Sequence, residues 1–292
     1  MKYDLAIADK TYSSWSLRGW LLFERFNIPF KQHTARMYLP EFHQMLEQFK
    51  PARLVPAMKF DGVVVQETIA MAETLAEQNP DKNMWPADPA ARAMARSVTA
   101  EMHASFGALR NDCTMNLRRH YPDYKPSDAV LADTQRMIDL WDMCRTEFGQ
   151  DGPWLFGQYT IADAFYAPAA TRFATYNLPR SDTADAYIAA HLADPVFRRW
   201  RAMGLAQNYI QDGYDKDLPE GNWPGPAPLP AHAVDAVNAG PSENETCPYS
   251  GKPVTDFLEL DGRIFGFCNT FCRDKTVADA AAWDQFIQIY QK

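Results

Sequence analysis

Three short stretches of this 292-residue chain concentrate side chains able to do chemistry. The first is Tyr12-Ser13-Ser14-Trp15-Ser16, which follows the apolar run Leu5-Ala6-Ile7-Ala8 and opens a helical pattern. Hydroxyls at a helix N-terminus sit beside unpaired backbone N–H groups and the positive end of the helix dipole, a setting that favours negative charge. A serine there either donates a hydrogen bond to a bound thiolate, lowering its pKa, or simply caps the helix. The second stretch is Gln66-Glu67-Thr68. At the start of a helix, its carboxylate and hydroxyl either hold an ammonium and a carboxylate together or act as ordinary caps. Shortly before it lies Leu54-Val55-Pro56, where the residue preceding proline is pushed to extended geometry. With a cis Val55–Pro56 bond, the Val55 N–H and C=O would face a ligand and pair with a peptide-like backbone. The third stretch is the C-x20-C-x3-C pattern of Cys247, Cys268 and Cys272. Thiolates so spaced bind zinc well, with copper the second choice because the ligands are soft. Asp256, Asp274, Asp279, water or a partner chain would supply a fourth ligand; the alternative is a module that folds metal-free around core cysteines.

The elements that must position these groups follow from pattern. Residues 5–8 and 30–37 read as strands, 15–26 as a helix with Leu17, Trp20, Leu21 and Phe23 on one side, and 57–60 and 63–65 as a hairpin turning at Asp61-Gly62. Residues 68–78 read as a closing helix. Short strands alternating with helices make the first 80 residues an α/β unit. Asp88-Pro89 is a helix start, with an acceptor at the cap and proline in the first turn. Met94, Val98, Met102, Phe106, Leu109, Cys113 and Leu117 then form one apolar stripe of a long helix, and Met137, Leu140, Trp141, Cys144 and Phe148 another. Thr160 and Asp163 have the spacing of a capping box. Residues 88–215 thus read as all-helical, 216–245 as a proline-rich linker, and 246–292 as a small module with a hairpin at Asp261-Gly262 and a helix from about Ala278. Cys113 and Cys144 read as small hydrophobes, and His103 and His120 as exposed or locally bonded.

Composition narrows the function. A net charge of −8 suits neither a nucleic-acid binder nor a protein of anionic membrane surfaces. No apolar run is long enough to span a bilayer, and the first residues are too short and too charged for a secretory signal. Five cysteines, three of them in the last 46 residues, suit a reducing compartment better than a disulfide framework. The expectation is a cytoplasmic protein.

Together and in this order, the Tyr12–Arg18 serine stretch, Val55-Pro56 and Glu67-Thr68 resemble the glutathione-binding site of the glutathione transferases, serine-type zeta-like and bacterial members especially. The resemblance implies a thioredoxin-like domain over 1–80 and a helical-bundle domain over 88–215, with Thr160 and Asp163 supporting the fold. It implies that Ser13, with Ser14 beside it, stabilises the thiolate of glutathione. Tyr12, Val55, Pro56, Glu67 and Thr68 would hold the tripeptide, and a pocket lined by Tyr12, Trp15 and Phe106 would take a small electrophile for conjugation or isomerisation. It also implies a homodimer. One position departs: Leu54 stands where the family often has lysine, leaving Lys50 or Arg53 to meet the glycyl carboxylate. No cysteine precedes Cys113, so the reacting thiol is expected to come from glutathione. Residues 246–292 resemble YHS- and TRASH-type metal-binding modules, implying zinc at Cys247, Cys268 and Cys272. The competing reading is a non-catalytic scaffold carrying a metal-binding or metal-sensing tail.

Overall fold

The computed structural model describes residues 2–149, 151–235 and 240–292. Two compact units emerge: one runs to Leu192 and includes Gln211–Pro224, the other comprises Ala193–Ile210 and Gly225–Lys292.

In the first unit, β1 (Tyr3–Ile7), α1 (Ser14–Glu24), β2 (Lys31–Thr34), α2 (Pro40–Glu47), β3 (Ala57–Phe60), β4 (Val63–Gln66) and α3 (Thr68–Gln78) follow in order. The sheet order is β2-β1-β3-β4. β1 pairs parallel with β2, aligning Leu5 with Gln32, and antiparallel with β3, aligning Leu5 with Met58. Leu5, Ala6 and Ile7 are fully buried, as a central strand covered on both faces requires. Asp61 and Gly62 both adopt positive φ (47° and 79°), the two-residue turn that matches strand twist. β2 is shorter than the expected 30–37 strand: its pairing ends where its partner β1 ends, Ile7 opposite Thr34. α2 lacks a counterpart in the sequence reading; Pro40 in its first turn starts it, and Phe42, Met45 and Leu46 dock on Ala6, Ala8 and Ala57.

Helices α4 (Pro89–Ala104), α5 (Gly107–Asp112), α6 (Asp128–Phe148), α7 (Ile161–Thr175) and α8 (Asp182–Ala193) follow. Asp88 caps α4 by accepting from Ala91 N at 2.8 Å, and the Thr160–Asp163 capping box forms at α7. Every residue of α7 is buried, and it packs against α1 and α4 as the axis of the domain. The single long helix expected through Leu117 is corrected. α4 stops at Ala104, Ser105 is extended, and Phe106 takes a left-handed φ of 64° before α5 begins. Met102, Phe106, Leu109, Cys113 and Leu117 are all buried nonetheless. Their spacing reports which side chains face the core, and two helices meeting at a kink satisfy it as well as one.

The second unit contains α9 (Pro195–Leu205), β5 (His232–Val234), β6 (Asp256–Leu260), β7 (Arg263–Phe267), α10 (Thr270–Ala278) and α11 (Asp284–Tyr290). Its sheet, β5-β6-β7, is antiparallel throughout, and Asp261 and Gly262 (φ 52° and 73°) make the same turn as Asp61-Gly62. Leu258, Leu260, Phe265, Phe267, Trp283 and Phe286 form its core. α10 ends at Ala278, where the sequence pattern suggested that the closing helix begins; that helix is α11.

Candidate active site

The loop after β1 is buried, as are Asp9, Thr11, Tyr12 and Ser13. The Asp9 carbonyl accepts from Tyr12 N and Ser13 N at 3.3 and 2.8 Å, and its carboxylate accepts from Met37 N at 2.6 Å. This fixes the start of α1. Ser13 is the N-cap: its Oγ accepts from Ser16 N at 3.2 Å and donates to Ser16 Oγ at 2.8 Å. Ser16 Oγ in turn accepts from Ala8 N at 2.9 Å. Ser14 is half-buried at the first helical position. By helix geometry, the first-turn amides beside these hydroxyls have no intrahelical acceptor.

Across from α1, Glu67 precedes α3 with a left-handed φ of 68°, a conformation that costs energy outside glycine and recurs where ligands are gripped. His103 of α4 reaches this corner, contrary to the expectation of an exposed or locally bonded side chain. Its Nε2 is 3.3 Å from Glu67 Oε2 and its Nδ1 is 3.4 Å from Thr68 Oγ1. Burial pushes the His103 pKa down; Glu67 opposes this, while Arg18 and Arg110 add to it. The ring therefore meets Glu67 mainly as a neutral hydrogen-bonding group. Trp15 packs edge-on to His103, with the Arg18 and Arg110 guanidiniums 4.4 and 4.7 Å from its ring centroid. His120 likewise meets a distant partner, with Nδ1 2.7 Å from Ala174 O, 54 residues along the chain.

Two clefts meet here. One, of about 480 Å³, is lined by Gln66, Glu67, Thr68, Pro51, Pro56, Trp15, Arg53, Leu54 and Val55. The other, of about 390 Å³, shares those last four residues and adds Tyr12, Ser13, Ser14, Met37, Tyr38, Phe42, His43 and Tyr214. Both volumes fall in the small-molecule range. The Val55–Pro56 bond is cis. Arg53 lines both clefts, whereas Lys50 pairs with Glu47 at 2.5 Å. Phe106 does not line either cleft; it is buried at the kink between α4 and α5. Tyr38 and Tyr214 stand in the aromatic lining instead. Tyr214 lies more than 200 residues from Tyr12 in the chain, so no local spacing could reveal it.

In the second unit, the Sγ atoms of Cys247, Cys268 and Cys272 lie within 4.8 Å of one another. Cys268 Sγ accepts from Ser250 Oγ at 3.2 Å and Asn269 Nδ2 at 3.3 Å. Burial raises the Cys247 pKa, but hydrogen bonds from the Cys268 and Tyr249 backbone and from the Ser250 and Cys268 side chains outweigh it and bring the thiol to about 7. A converging trio of sulfurs with donors aimed at them fits a thiophilic ion. Of the expected fourth ligands, Asp279 is held by Arg198 at 2.6 and 2.8 Å, Asp256 accepts from Thr255 and Thr270, and Asp274 pairs with Arg273. Among the described residues, the cluster contains the three cysteines alone.

The fold and clefts are those of a thioredoxin-like domain joined to a helical domain. Residues 12–78 match the family model for the glutathione S-transferase N-terminal domain, and 127–202 that for its C-terminal domain; the chain carries both domains of the glutathione S-transferases. It is 32% identical over 98 residues to a probable maleylacetoacetate isomerase of Caenorhabditis elegans, an alignment covering 34% of this chain and 45% of that protein. It is 30% identical over 146 residues to glutathione S-transferase theta-1 of Rattus norvegicus, covering 47% of this chain and 60% of the relative. The chain thus spans less than two thirds of these relatives. A Burkholderia glutathione transferase homologue solved with bound glutathione superposes with a TM-score of 0.54 at 19% identity, covering 70% of this chain and 98% of the other. An omega-class transferase of Trametes versicolor gives 0.51 at 21% identity, covering 65% and 80%. At such identities the structural likeness concerns fold.

Proposed function

We propose that the chain is an enzyme, a glutathione transferase that activates the thiol of glutathione for attack on, or reversible addition to, a small electrophile. The carrying observation is that two adjoining clefts share Trp15 in the first turn of α1, with Ser13 and Ser14 lining the smaller of them. Glutathione lies in the larger cleft, with its thiol end reaching Tyr12, Ser13 and Ser14 in the wall of the smaller one. Glu67 and Thr68 hold its γ-glutamyl end, Val55 pairs with the cysteinyl backbone, Pro56 and Tyr12 frame the peptide, and Arg53 takes the glycyl carboxylate that a lysine meets elsewhere in the family. His103 braces Glu67 and Thr68. Ser13 turns its proton from Ser16 to the thiolate, with Ser14 and the first-turn amides adding partial positive charge. In conjugation, sulfur forms a bond to the electrophilic carbon, the leaving group departs with the bonding pair, and the thiol proton passes to solvent. In isomerisation, the reaction for which the maleylacetoacetate isomerase relatives are named, the same sulfur adds and is later expelled.

Calorimetry should show glutathione binding. Ser13→Ala should lower kcat/KM by roughly 10²-fold, the scale of losing one preorganised donor. Full activity in Ser13→Ala, with loss in Ser14→Ala or Tyr12→Phe, would move the role to those residues. The reading includes a homodimer in the cytoplasm, which sedimentation and fractionation test. Among the described residues, no helix is long and apolar enough to cross a membrane.

A second reading rests on the sulfur cluster: Cys247, Cys268 and Cys272 hold zinc, which staples the small second unit as a YHS- or TRASH-like module. If glutathione does not bind while metal is stoichiometric, the chain is instead a metal-binding scaffold.

A further inference from the structure

The second unit carries an inference that rests on the reading in which Cys247, Cys268 and Cys272 hold zinc. Beside the three sulfurs stands a buried cation. Lys275 follows Cys272 by three residues in α10, on the same side of the helix, and is only 8% exposed. Its Nζ is 3.6 Å from the ring centroid of Tyr249 and 3.7 Å from that of Trp283. This cage is braced on both sides. Trp283 Nε1 donates to Lys275 O at 3.1 Å. The Tyr249 hydroxyl hydrogen-bonds to Thr276 Oγ1 at 2.6 Å, and Thr276 Oγ1 donates to Cys272 O at 2.8 Å. Tyr249 follows Cys247 by two residues, so the cysteine pattern itself brings one ring of the cage to the lysine. An ammonium taken out of water is costly unless an anion compensates it, and ring faces repay only part of that cost. The carboxylates that flank Lys275 in sequence are engaged elsewhere, Asp274 with Arg273 and Asp279 with Arg198. Burial pushes the Lys275 pKa down to about 8, and Arg199 adds to this; Cys272, Cys247 and Cys268 oppose it. The lysine thus stays charged at neutral pH, and the negative charge that suits it is that of sulfur.

We propose that Lys275 is the built-in counter-charge of the cysteine cluster, and that the site takes a divalent thiophilic ion as an anionic complex of three thiolates. A divalent ion among three thiolates leaves one net negative charge, which the caged ammonium cancels. The rings hold that ammonium in place without neutralising it, as a carboxylate partner would. A trivalent ion on the same sulfurs leaves no net charge and gains nothing from the lysine.

Zinc and arsenite together test this in the full-length protein, stripped of metal and kept reduced with a phosphine. Zinc binding expels the thiol protons to solvent and leaves the cluster with one net negative charge. Arsenous acid condenses with three thiols, releasing three waters, and leaves the cluster neutral. The protonation and folding of the free cluster affect both ligands alike and cancel in the ratio of their Kd values. Zinc Kd is read by competition with a chromophoric chelator, and arsenite Kd from As–S absorbance. Lys275→Met keeps the length of the side chain and removes its charge. The zinc-to-arsenite Kd ratio should then rise about tenfold or more, the scale of one unit-charge interaction at intermediate dielectric. Lys275→Arg keeps the charge and should hold the ratio within about threefold of wild type. A ratio unchanged in Lys275→Met, or raised equally in Lys275→Arg, overturns the proposal; zinc and arsenite binding lost in parallel would make the lysine purely structural and overturns it as well. Wild-type protein that binds arsenite without zinc overturns instead the zinc reading on which the proposal rests, and protein that binds neither overturns the convergence of the three thiols.

Discussion

Glu67 and His103 show how a site is assembled residue by residue. Glu67 sits in a costly left-handed backbone, and its carboxylate is steadied by a histidine kept neutral by burial and two nearby arginines. Glu67→Gln should raise KM for glutathione about tenfold or more with a smaller change in kcat, because the lost charge serves binding and not the thiolate. His103→Ala should act in the same direction but more weakly; equal kcat/KM for both variants and wild type would exclude this corner from glutathione binding. A second histidine governs acid stability. His191 is fully buried against Trp154 and Tyr187, and burial, with Arg25 adding to it, holds its pKa at about 3. Between the unfolded value near 6.5 and about 3, the unfolded chain binds a proton that the folded one does not, so stability falls as pH drops. Asp163 acts oppositely: burial raises its pKa to about 6, so the folded protein gains relative to the unfolded chain as pH falls from about 6 to about 4. Chemical denaturation of His191→Phe should show a midpoint that holds or rises on going from pH 6 to pH 4, while the wild-type profile is flatter and declines below pH 4. Superimposable profiles would contradict this account.

At the scale of elements, α1 and α7 do the positioning. α1 passes so close to the Val55-Pro56 loop that a Cβ on Gly19 would meet Pro56 Cβ at 2.7 Å. Gly19→Ala should therefore displace that loop, weakening glutathione binding several-fold even though alanine favours the helix itself. An unchanged Kd would show that the loop is placed by other contacts. α7 depends on its cap: the Asp163 carboxylate accepts from Leu155 N, Thr160 N, Thr160 Oγ1 and the Tyr187 hydroxyl. Asp163→Ala strands several buried donors, and thermal or urea unfolding should register a loss of about 3 kcal/mol or more. Thr160→Ala should cost about 1 kcal/mol, the usual worth of an N-cap.

Across the whole molecule, the second unit has a modest apolar core and a sulfur cluster that can cross-link it. Cys247 lies before the hairpin, Cys268 just after it, and Cys272 in the first turn of α10. With zinc bound, chelation or Cys247→Ser should lower the unfolding temperature of this unit while leaving Ser13-dependent chemistry intact. A melting profile insensitive to chelator in protein shown to contain zinc would assign the metal a role other than a staple.

Much of this architecture is written in neighbouring residues. The two Asp-Gly turns, the Asp88-Pro89 helix start, the Thr160–Asp163 box and the serines opening α1 were legible because each depends on backbone preferences within three or four residues. The break between α4 and α5 was not, since apolar spacing records burial and not backbone continuity. Nor was the meeting of His103 with Glu67 and Thr68, the return of Tyr214 to Tyr12, or the displacement of Phe106 into the core. These pairings join residues from 35 to some 200 positions apart. Local sequence set the secondary elements and the chemical types at their ends. Only the packed chain decided which ends share a cleft, because long-range neighbours are chosen by the collective burial of apolar faces, to which no short segment has access.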